Sequence, residues 1–102
     1  MDSKIVRIAE LEIDPAEINA YRALLAAEIE ASVEMEPGVL MLHAVAETDR
    51  PEKIHILEVY ASREAYEAHL QTPHFLKYKA GTAKMVRSLR LVDVVPVMLR
   101  GK

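Results

Sequence analysis

Apolar residues along this sequence change their spacing several times, and the order of these changes defines a fold class. Strand-like runs, either alternating or rich in β-branched residues, occupy residues 4–13, 39–46, 54–61 and 89–99. Helical spacing fills the gap after the first run and the gap after the third. The order β-α-β-β-α-β predicts an α+β, ferredoxin-like sandwich, in which a four-stranded antiparallel sheet carries its helices on one face.

The first helix has the clearest boundaries. Asp14-Pro15 places an N-cap side chain before a proline at the first helical position, and Glu17 follows three residues after the cap. Pro37-Gly38 ends the helical pattern. Between these signals, apolar residues recur every three or four positions and predict one buried stripe: Ile18, Tyr21, Leu25, Ile29 and Val33.

The second helical region is predicted as two helices. Ser62 offers an N-cap for a short helix, and Thr72-Pro73 repeats the signal of a cap followed by proline. The last strand follows at residues 89–99, where Pro96 indicates an edge or a bulge. The apolar side of the later helix is predicted to consist of Phe75, Tyr78, Met85 and Val86.

Residues 1–102 are predicted to form one domain, because a chain of 102 residues has the size of a single hydrophobic core. Helices on one face leave the other face of the sheet bare. A domain this small rarely leaves a large apolar patch in water, so we expect a homodimer in which two sheets pack face to face. The apolar residues expected on the bare face are Val39, Met41, Val45, Leu57 and Val59.

Composition excludes several function classes. The net charge is −3 and no basic run occurs, so the chain lacks the clustered Lys and Arg that bind nucleic acid. The absence of cysteine excludes disulfides and thiolate chemistry. No segment has the length of apolar sequence that a signal peptide or a membrane span needs, which predicts a cytoplasmic protein with no membrane partner. The three glycines form no phosphate-binding loop.

Histidine and tyrosine are concentrated between residues 55 and 78, which hold three of the four histidines and three of the four tyrosines. In a strand, Glu58 and Tyr60 point to the same side. If that side faces the helices, Glu58 is a buried acid that needs a partner or a raised pKa. Tyr66 and His69 lie three positions apart and therefore share a helix face. His74 is the second residue of the next predicted helix.

These positions predict a pocket between the sheet and the helices that suits an aromatic ligand with a hydroxyl group. Other readings stay open: the histidines could tie helix ends to the backbone, and the aromatic residues could serve only as core packing. His43 and His55 fall on the other side of the sheet, at the expected dimer interface or its rim. No two histidines show ligand spacing on one element, so no metal site is predicted.

Three segments resemble the antibiotic biosynthesis monooxygenase domain: Glu36-Pro37-Gly38, the third strand at residues 56–60, and residues 65–75. The most specific part is the spacing H-x-x-T-P-H-F at residues 69–75. The resemblance covers nearly the whole chain in element order. It implies a dimeric α+β barrel with pockets between sheet and helices, and oxygenation without flavin, haem or metal.

The same resemblance narrows the branch of the family. Many oxygenating relatives, including haem degraders, carry Trp where this chain has Tyr60, and haem degraders carry Asn near Ala9. Both differences argue against haem degradation. Tyr66 falls where phenol-oxidising relatives have a pocket tyrosine, which favours a quinol-monooxygenase-like member.

Together, the residues and the resemblance predict a cofactor-independent monooxygenase that oxidises a small hydroxylated aromatic, a quinol or polycyclic phenol, with dioxygen. His74, His69 and Glu58 are the expected acid and base groups. The expected substrate-binding residues are Tyr60, Tyr66, Phe75 and Tyr78. Two alternatives use the same pocket: an oxygen-independent isomerase or tautomerase of a carbonyl metabolite, and a non-catalytic dimer that binds a metabolite.

Overall fold

The computed structural model describes residues 4–102, and the four strands and three α-helices of this part follow the predicted order. Hydrogen bonds join the strands as one antiparallel sheet in the order β2-β3-β1-β4, which confirms the ferredoxin-like α+β fold. Residues 1–3, which the single-domain prediction includes, lie outside the described residues. The elements are β1 (Ile5–Ile13), α1 (Ile18–Met35), β2 (Val39–Ala46), β3 (Lys53–Tyr60), α2 (Arg63–His69), α3 (Pro73–Thr82) and β4 (Val86–Val94), with a short 3₁₀ helix (Pro15–Glu17) before α1.

The predicted caps are all formed. The Asp14 carboxylate accepts a hydrogen bond from the backbone N–H of Ala16 at 3.0 Å. Ser62 Oγ accepts from the N–H of Ala65 at 3.0 Å, and Thr72 Oγ1 accepts from the N–H of Phe75 at 3.3 Å. Each bond satisfies one of the amides that a helix start leaves without a partner.

The buried face of α1 differs from the predicted stripe at its end. Val33 is 48% exposed, so its assignment to the stripe is wrong. The buried positions near this end are instead polar, namely Glu28 and Ser32. They lie three and seven positions after Leu25, on the same helix face, because helical spacing places i, i+3 and i+7 together. Near the C-terminal end of α1, polar side chains therefore occupy the buried positions of the helix.

A β-bulge in β2 places Val39 on the opposite face of the sheet from the one predicted. Val39 pairs with Tyr60, but the next paired residue of β2 is Met41, which pairs with Val59, so Leu40 is an extra residue. An extra residue reverses the alternation of the strand. Val39 is consequently buried against Tyr60 on the helix side, and its prediction on the bare face is wrong.

The last helix and strand meet earlier than predicted. α3 ends at Thr82, so Met85 lies between the two elements and Val86 already begins β4. Both residues still pack against the main core cluster. β4 ends at Val94, before Pro96, whose missing N–H cannot extend the ladder. The predicted strand at 89–99 is thus displaced toward the N-terminus.

The sheet face opposite the helices consists of four rows across the strands, which we call the open face. Two neighbouring rows are mostly apolar, and the other two carry most of the charge. The rows of the open face are Met41, Val59, Val6 and Val94; His43, Leu57, Ile8 and Val92; Val45, His55, Glu10 and Arg90; and Lys53, Glu12 and Ser88.

Among the described residues, no helix is long and apolar enough to cross a membrane.

Candidate active site

A cavity of about 620 Å³ lies between the sheet and the helices. Leu89 and Leu91 of β4 line it and remain about half exposed, so the cavity is accessible from the β4 side. A wall of aliphatic side chains suits an apolar ligand, and the few polar groups among them would fix its orientation. The aliphatic wall includes Leu11, Leu25, Ile29, Leu42, Ile56, Leu89 and Leu91.

One cluster of polar side chains in the cavity comes from β1 and β3, where Arg7 and Glu58 lie opposite each other on the two paired strands. The hydroxyl of Tyr60 donates to Glu58 Oε1 at 2.7 Å. Burial raises the pKa of Glu58, and the hydrogen bond from Tyr60 offsets only part of the rise. Burial, and then the charge of Glu58, also raise the pKa of Tyr60. Glu58 is therefore suited to exchange a proton nearer neutral pH than an exposed glutamate.

Arg7 fixes a second phenol at the same end of the cavity. Its Nη1 donates to Tyr66 Oη at 2.5 Å, and its Cζ lies 4.6 Å from the centre of the Tyr66 ring. On the other side, Arg7 Nε donates to Asp93 at 2.9 Å. The guanidinium thus supplies positive charge beside the tyrosines, where a ligand anion would be stabilised.

The tyrosines Tyr21 and Tyr78 form another polar contact. Their hydroxyl oxygens lie 2.6 Å apart, and Tyr78 lines the cavity while Tyr21 is completely buried behind it. Burial, followed by the neighbouring Tyr78, raises the pKa of Tyr21, so both hydroxyls stay neutral. This pair can donate or accept one hydrogen bond with a ligand without adding charge.

The junction between α2 and α3 brings His69 and His74 together. Thr72 Oγ1 caps α3 and also donates to the backbone oxygen of His69 at 2.8 Å, which ties the two helix ends. Pro73 occupies the first turn of α3, where it costs no hydrogen bond. The ring centres of His69 and His74 are 6.4 Å apart as a result.

Glu36, directly after α1, joins the two rings. Its Oε2 lies 3.0 Å from His69 Nδ1 and 2.6 Å from His74 Nε2. Burial on its own raises the pKa of Glu36, but the hydrogen bonds from His69 and His74 together outweigh burial and lower the pKa on balance. The side chain is consequently ionised at neutral pH.

Glu28 approaches His69 from the other side. Its Oε1 accepts a hydrogen bond from Ser32 Oγ at 2.6 Å and lies 3.5 Å from His69 Nε2, which is longer than an ordinary hydrogen bond. Glu28 and His69 both line the cavity, whereas Glu36 and His74 do not. The His69 ring therefore separates a cavity-side carboxylate from a carboxylate outside the cavity.

Comparison with known proteins agrees with this architecture. Residues 4–81 match the family model described as antibiotic biosynthesis monooxygenase. The chain belongs to this family. A candidate family member of known structure from Bacteroides thetaiotaomicron is 48% identical, with a TM-score of 0.96, over 98% of this chain and 97% of that chain. No protein of curated function matches the sequence.

Two further solved structures are similar to this antibiotic biosynthesis monooxygenase family member. A candidate monooxygenase of Lactobacillus acidophilus is 29% identical with a TM-score of 0.90, and the match covers 93% of this chain but 45% of that one. The Rv0793 protein of Mycobacterium tuberculosis is 27% identical with a TM-score of 0.84, over 97% of this chain and 100% of that chain.

The histidine cluster of this family member also has the residue types of a metal site. Glu28, His69 and His74 each place one ligand atom within 4.8 Å of the others. A metal ion, however, needs an unprotonated ring nitrogen. The nitrogens of His69 and His74 that face Glu36 instead hold protons, because an ionised carboxylate can only accept hydrogen bonds. These two nitrogens could bind a metal ion only if their hydrogen bonds to Glu36 were broken.

The structure brings together most of the residues that the sequence selected. The cavity is lined by Glu58, Tyr60, Tyr66, His69, Phe75 and Tyr78. His74 was expected in the same pocket, but it lies behind His69 and contacts Glu36 instead.

Sequence reasoning missed three charged residues, Arg7, Glu28 and Glu36, although each has a signal. Arg7 shares the parity of Ala9 and Leu11 on β1, and Glu28 lies on the helix face that Leu25 occupies. Glu36 is an acid at the C-terminal end of a helix, where the helix dipole disfavours negative charge unless a cation or a donor is near.

Proposed function

We propose that this protein is a cofactor-independent monooxygenase that oxidises a small hydroxylated aromatic, a quinol or polycyclic phenol, with dioxygen. The observation that carries the proposal is the cavity, because its walls are aliphatic and its polar groups are acids, bases and phenols. Family membership supports oxygenation, and a flat apolar ligand with one hydroxyl group matches the distribution of polar side chains.

The proposed reaction begins with removal of the phenolic proton. His69, supported by His74 through Glu36 and by Glu58, takes this proton, while Tyr60 and Tyr66 orient the ring and Phe75 and Tyr78 pack on it. The electron-rich anion then reacts directly with dioxygen. One oxygen atom replaces a ring C–H as a carbonyl and the other leaves as water, so the substrate supplies all the electrons. The guanidinium of Arg7 stabilises the negative charge that develops.

Oxygen uptake with a panel of dihydroxynaphthalenes and anthrones tests this proposal. We expect turnover by the wild type, with a quinone product in which one oxygen atom derives from labelled dioxygen. His69→Gln is expected to reduce kcat by about a hundred- to ten-thousandfold, the usual contribution of general-base catalysis. Lys77→Gln on the exposed surface of α3 is the control. Absence of turnover across the panel, or full activity of His69→Gln, would contradict the proposal.

The same assay separates the two alternatives. An isomerase or tautomerase uses the same acid and base but needs no oxygen, so product formation under anaerobic conditions would identify it. A non-catalytic binding protein would show a ligand-dependent rise in Tm with no product.

We also propose that the active form is a homodimer joined through the open face. Support comes from the two apolar rows, in which Leu57 pairs with Ile8 and Met41 pairs with Val59. The charged rows are already paired within one chain, with Arg90 3.3 Å from Glu10 and Lys53 3.2 Å from Glu12. Such a face can serve as an apolar centre with a polar rim.

A further inference from the structure

Glu36 lies outside the cavity, yet it determines the protons on a ring that lines the cavity. Both His69 Nδ1 and His74 Nε2 approach the same oxygen, Oε2. Since Glu36 is ionised, this oxygen has only lone pairs to offer. Each of the two ring nitrogens must therefore carry a hydrogen and donate it.

The consequence for His69 concerns its other nitrogen. A neutral imidazole has one N–H, and in His69 that hydrogen is on Nδ1, so Nε2 carries the lone pair. Nε2 is the nitrogen on the side of Glu28, which lines the cavity. The lone pair thus faces Glu28 at the cavity wall, and the proton is held on the side of Glu36.

Packing holds the His69 ring in this orientation. Its centre lies 5.3 Å from the Tyr60 ring and 5.0 Å from the Phe75 ring, and its side chain is only 3% exposed. A half-turn of the ring about the Cβ–Cγ bond would put Cδ2 in the place of Nδ1 and remove the hydrogen bond to Glu36. The charged and titratable groups around the ring come from every neighbouring element: Glu28 on α1, Glu36 after α1, Glu58 and Tyr60 on β3, and His74 on α3.

We infer that Glu36 is a positioning residue that fixes the Nδ1–H tautomer of His69 and so makes Nε2 the atom that receives the ligand's proton. The inference rests on the proposed function for the identity of that ligand. In the step, the phenolic O–H bond breaks, the proton binds Nε2, and the electron pair stays on the phenolate oxygen. The resulting imidazolium lies between the carboxylates of Glu28 and Glu36, which stabilise its charge.

His74 has a different role from His69 in this arrangement. It does not line the cavity, and its hydrogen bond of 2.6 Å is made to the carboxylate and not to a ligand. Its contribution is to hold Glu36 ionised and in place, as a second positioning residue. Glu36 orients the His69 imidazole as the carboxylate of a catalytic triad orients its histidine, and His74 adds a second donor to that carboxylate.

Nitrogen-15 NMR of the histidine rings tests the inference without a substrate. The two tautomers of neutral histidine give different ring nitrogen signals, so protein labelled at histidine reports them directly. We expect His69 to be the Nδ1–H form in the wild type, with the exposed His43 as an internal reference. A His69 ring protonated on Nε2 instead would overturn the inference.

Two substitutions at Glu36 separate positioning from mere packing. Glu36→Gln keeps an oxygen acceptor and is expected to keep the Nδ1–H tautomer, whereas Glu36→Leu removes the acceptor and is expected to release the Nε2–H form. An unchanged tautomer in Glu36→Leu contradicts the inference. Should Glu36→Leu fail to fold, the wild-type tautomer and the behaviour of Glu36→Gln still decide the question.

Kinetics with any phenol that is turned over provides a second readout. Glu36→Leu is expected to lower kcat by about ten- to a hundredfold with little change in KM, as is usual when the partner of a functional histidine is lost. His74→Gln, which can still donate to Glu36, should lose far less activity than His69→Gln. An Nδ1–H His69 in a protein that turns over no phenol would contradict the proposed function alone. An Nε2–H His69 in a protein that does turn over a phenol would contradict this inference alone, so the two failures are distinguishable.

Discussion

The carboxyl groups of Glu58 and Glu36 respond to their surroundings in opposite directions. Burial raises the pKa of Glu58 above its ordinary 4.5, whereas the hydrogen bonds from two histidines outweigh burial and lower the pKa of Glu36. A raised pKa stabilises the fold below the unfolded-state value, and this stability is lost as pH rises through the folded-state pKa. A lowered pKa provides stability above the unfolded-state value, which is lost as pH falls.

Glutamine substitutions should therefore change stability with opposite pH dependence. As pH increases above about 4.5, the free energy of unfolding of Glu58→Gln should rise relative to the wild type. As pH increases toward about 4.5 from below, that of Glu36→Gln should fall relative to the wild type, and above this pH the difference should stay level. Glutamine retains the oxygen that accepts from Tyr60 or from the histidines, so the hydrogen-bond geometry is matched. Urea denaturation at several pH values measures both differences, and a common direction for the two variants would contradict the assignment.

Gly38 and Ala65 show how close α2 lies to the start of β2. A Cβ atom at Gly38 would collide with the Cβ atom of Ala65, and neither atom can move without its backbone. Gly38→Ala should therefore displace α2, which carries Tyr66 and His69, and destabilise the fold by about 1–3 kcal/mol.

A second-site substitution provides the test of that contact. Ala65→Gly should recover part of the stability lost in Gly38→Ala, less about 1 kcal/mol for a glycine within a helix. Gly81→Ala is the control, since its Cβ would meet only the flexible end of Leu24 at 3.3 Å. Thermal denaturation of the wild type, Gly38→Ala, Ala65→Gly and the double variant measures the coupling between the two positions. Strictly additive changes in stability would show that the contact is unimportant.

The hydroxyl of Thr72 has two partners at the junction of α2 and α3, the N–H of Phe75 and the backbone oxygen of His69. Thr72→Val keeps the shape and removes both bonds, so we expect a loss of about 1–2 kcal/mol of stability and a displaced His69. Thr72→Ser retains the hydroxyl and serves as the control. Equal stability of the valine and serine variants would contradict this role.

Local sequence signals predicted the helices and strands. Features that depend on contacts between these elements, such as the bulge in β2 and the partner of Glu36, could not be predicted from the sequence. Asp14, Ser62 and Thr72 act on amides a few residues away, so their caps could be recognised. The bulge at Leu40 depends on how β2 pairs with β3, and it reversed the face of Val39. The bond between Glu36 and His69 joins residues 33 positions apart, and spacing along one element cannot reveal it.

At the scale of the whole molecule, the fold divides its apolar residues between a closed layer and an open one. Helices cover one side of the sheet and enclose the cavity, while the open face keeps its two apolar rows. Val6 and Val59 in these rows are buried within one chain, but Val45 is 62% exposed at the edge. A second copy of the chain, related by a twofold axis, would place the two apolar rows of one open face against the same two rows of the other.

A charge at the centre of this face tests the proposed dimer. Sedimentation velocity of the wild type should give twice the protomer mass of 11.5 kDa. Leu57→Glu would bury an unpaired carboxylate between the two sheets, which costs about 3 kcal/mol or more and raises the dimer Kd about a hundredfold or more. Ala27→Glu adds the same charge on the exposed side of α1 and should remain dimeric. A monomeric wild type, or a Leu57→Glu variant that still forms the dimer, would show that the open face is not the contact.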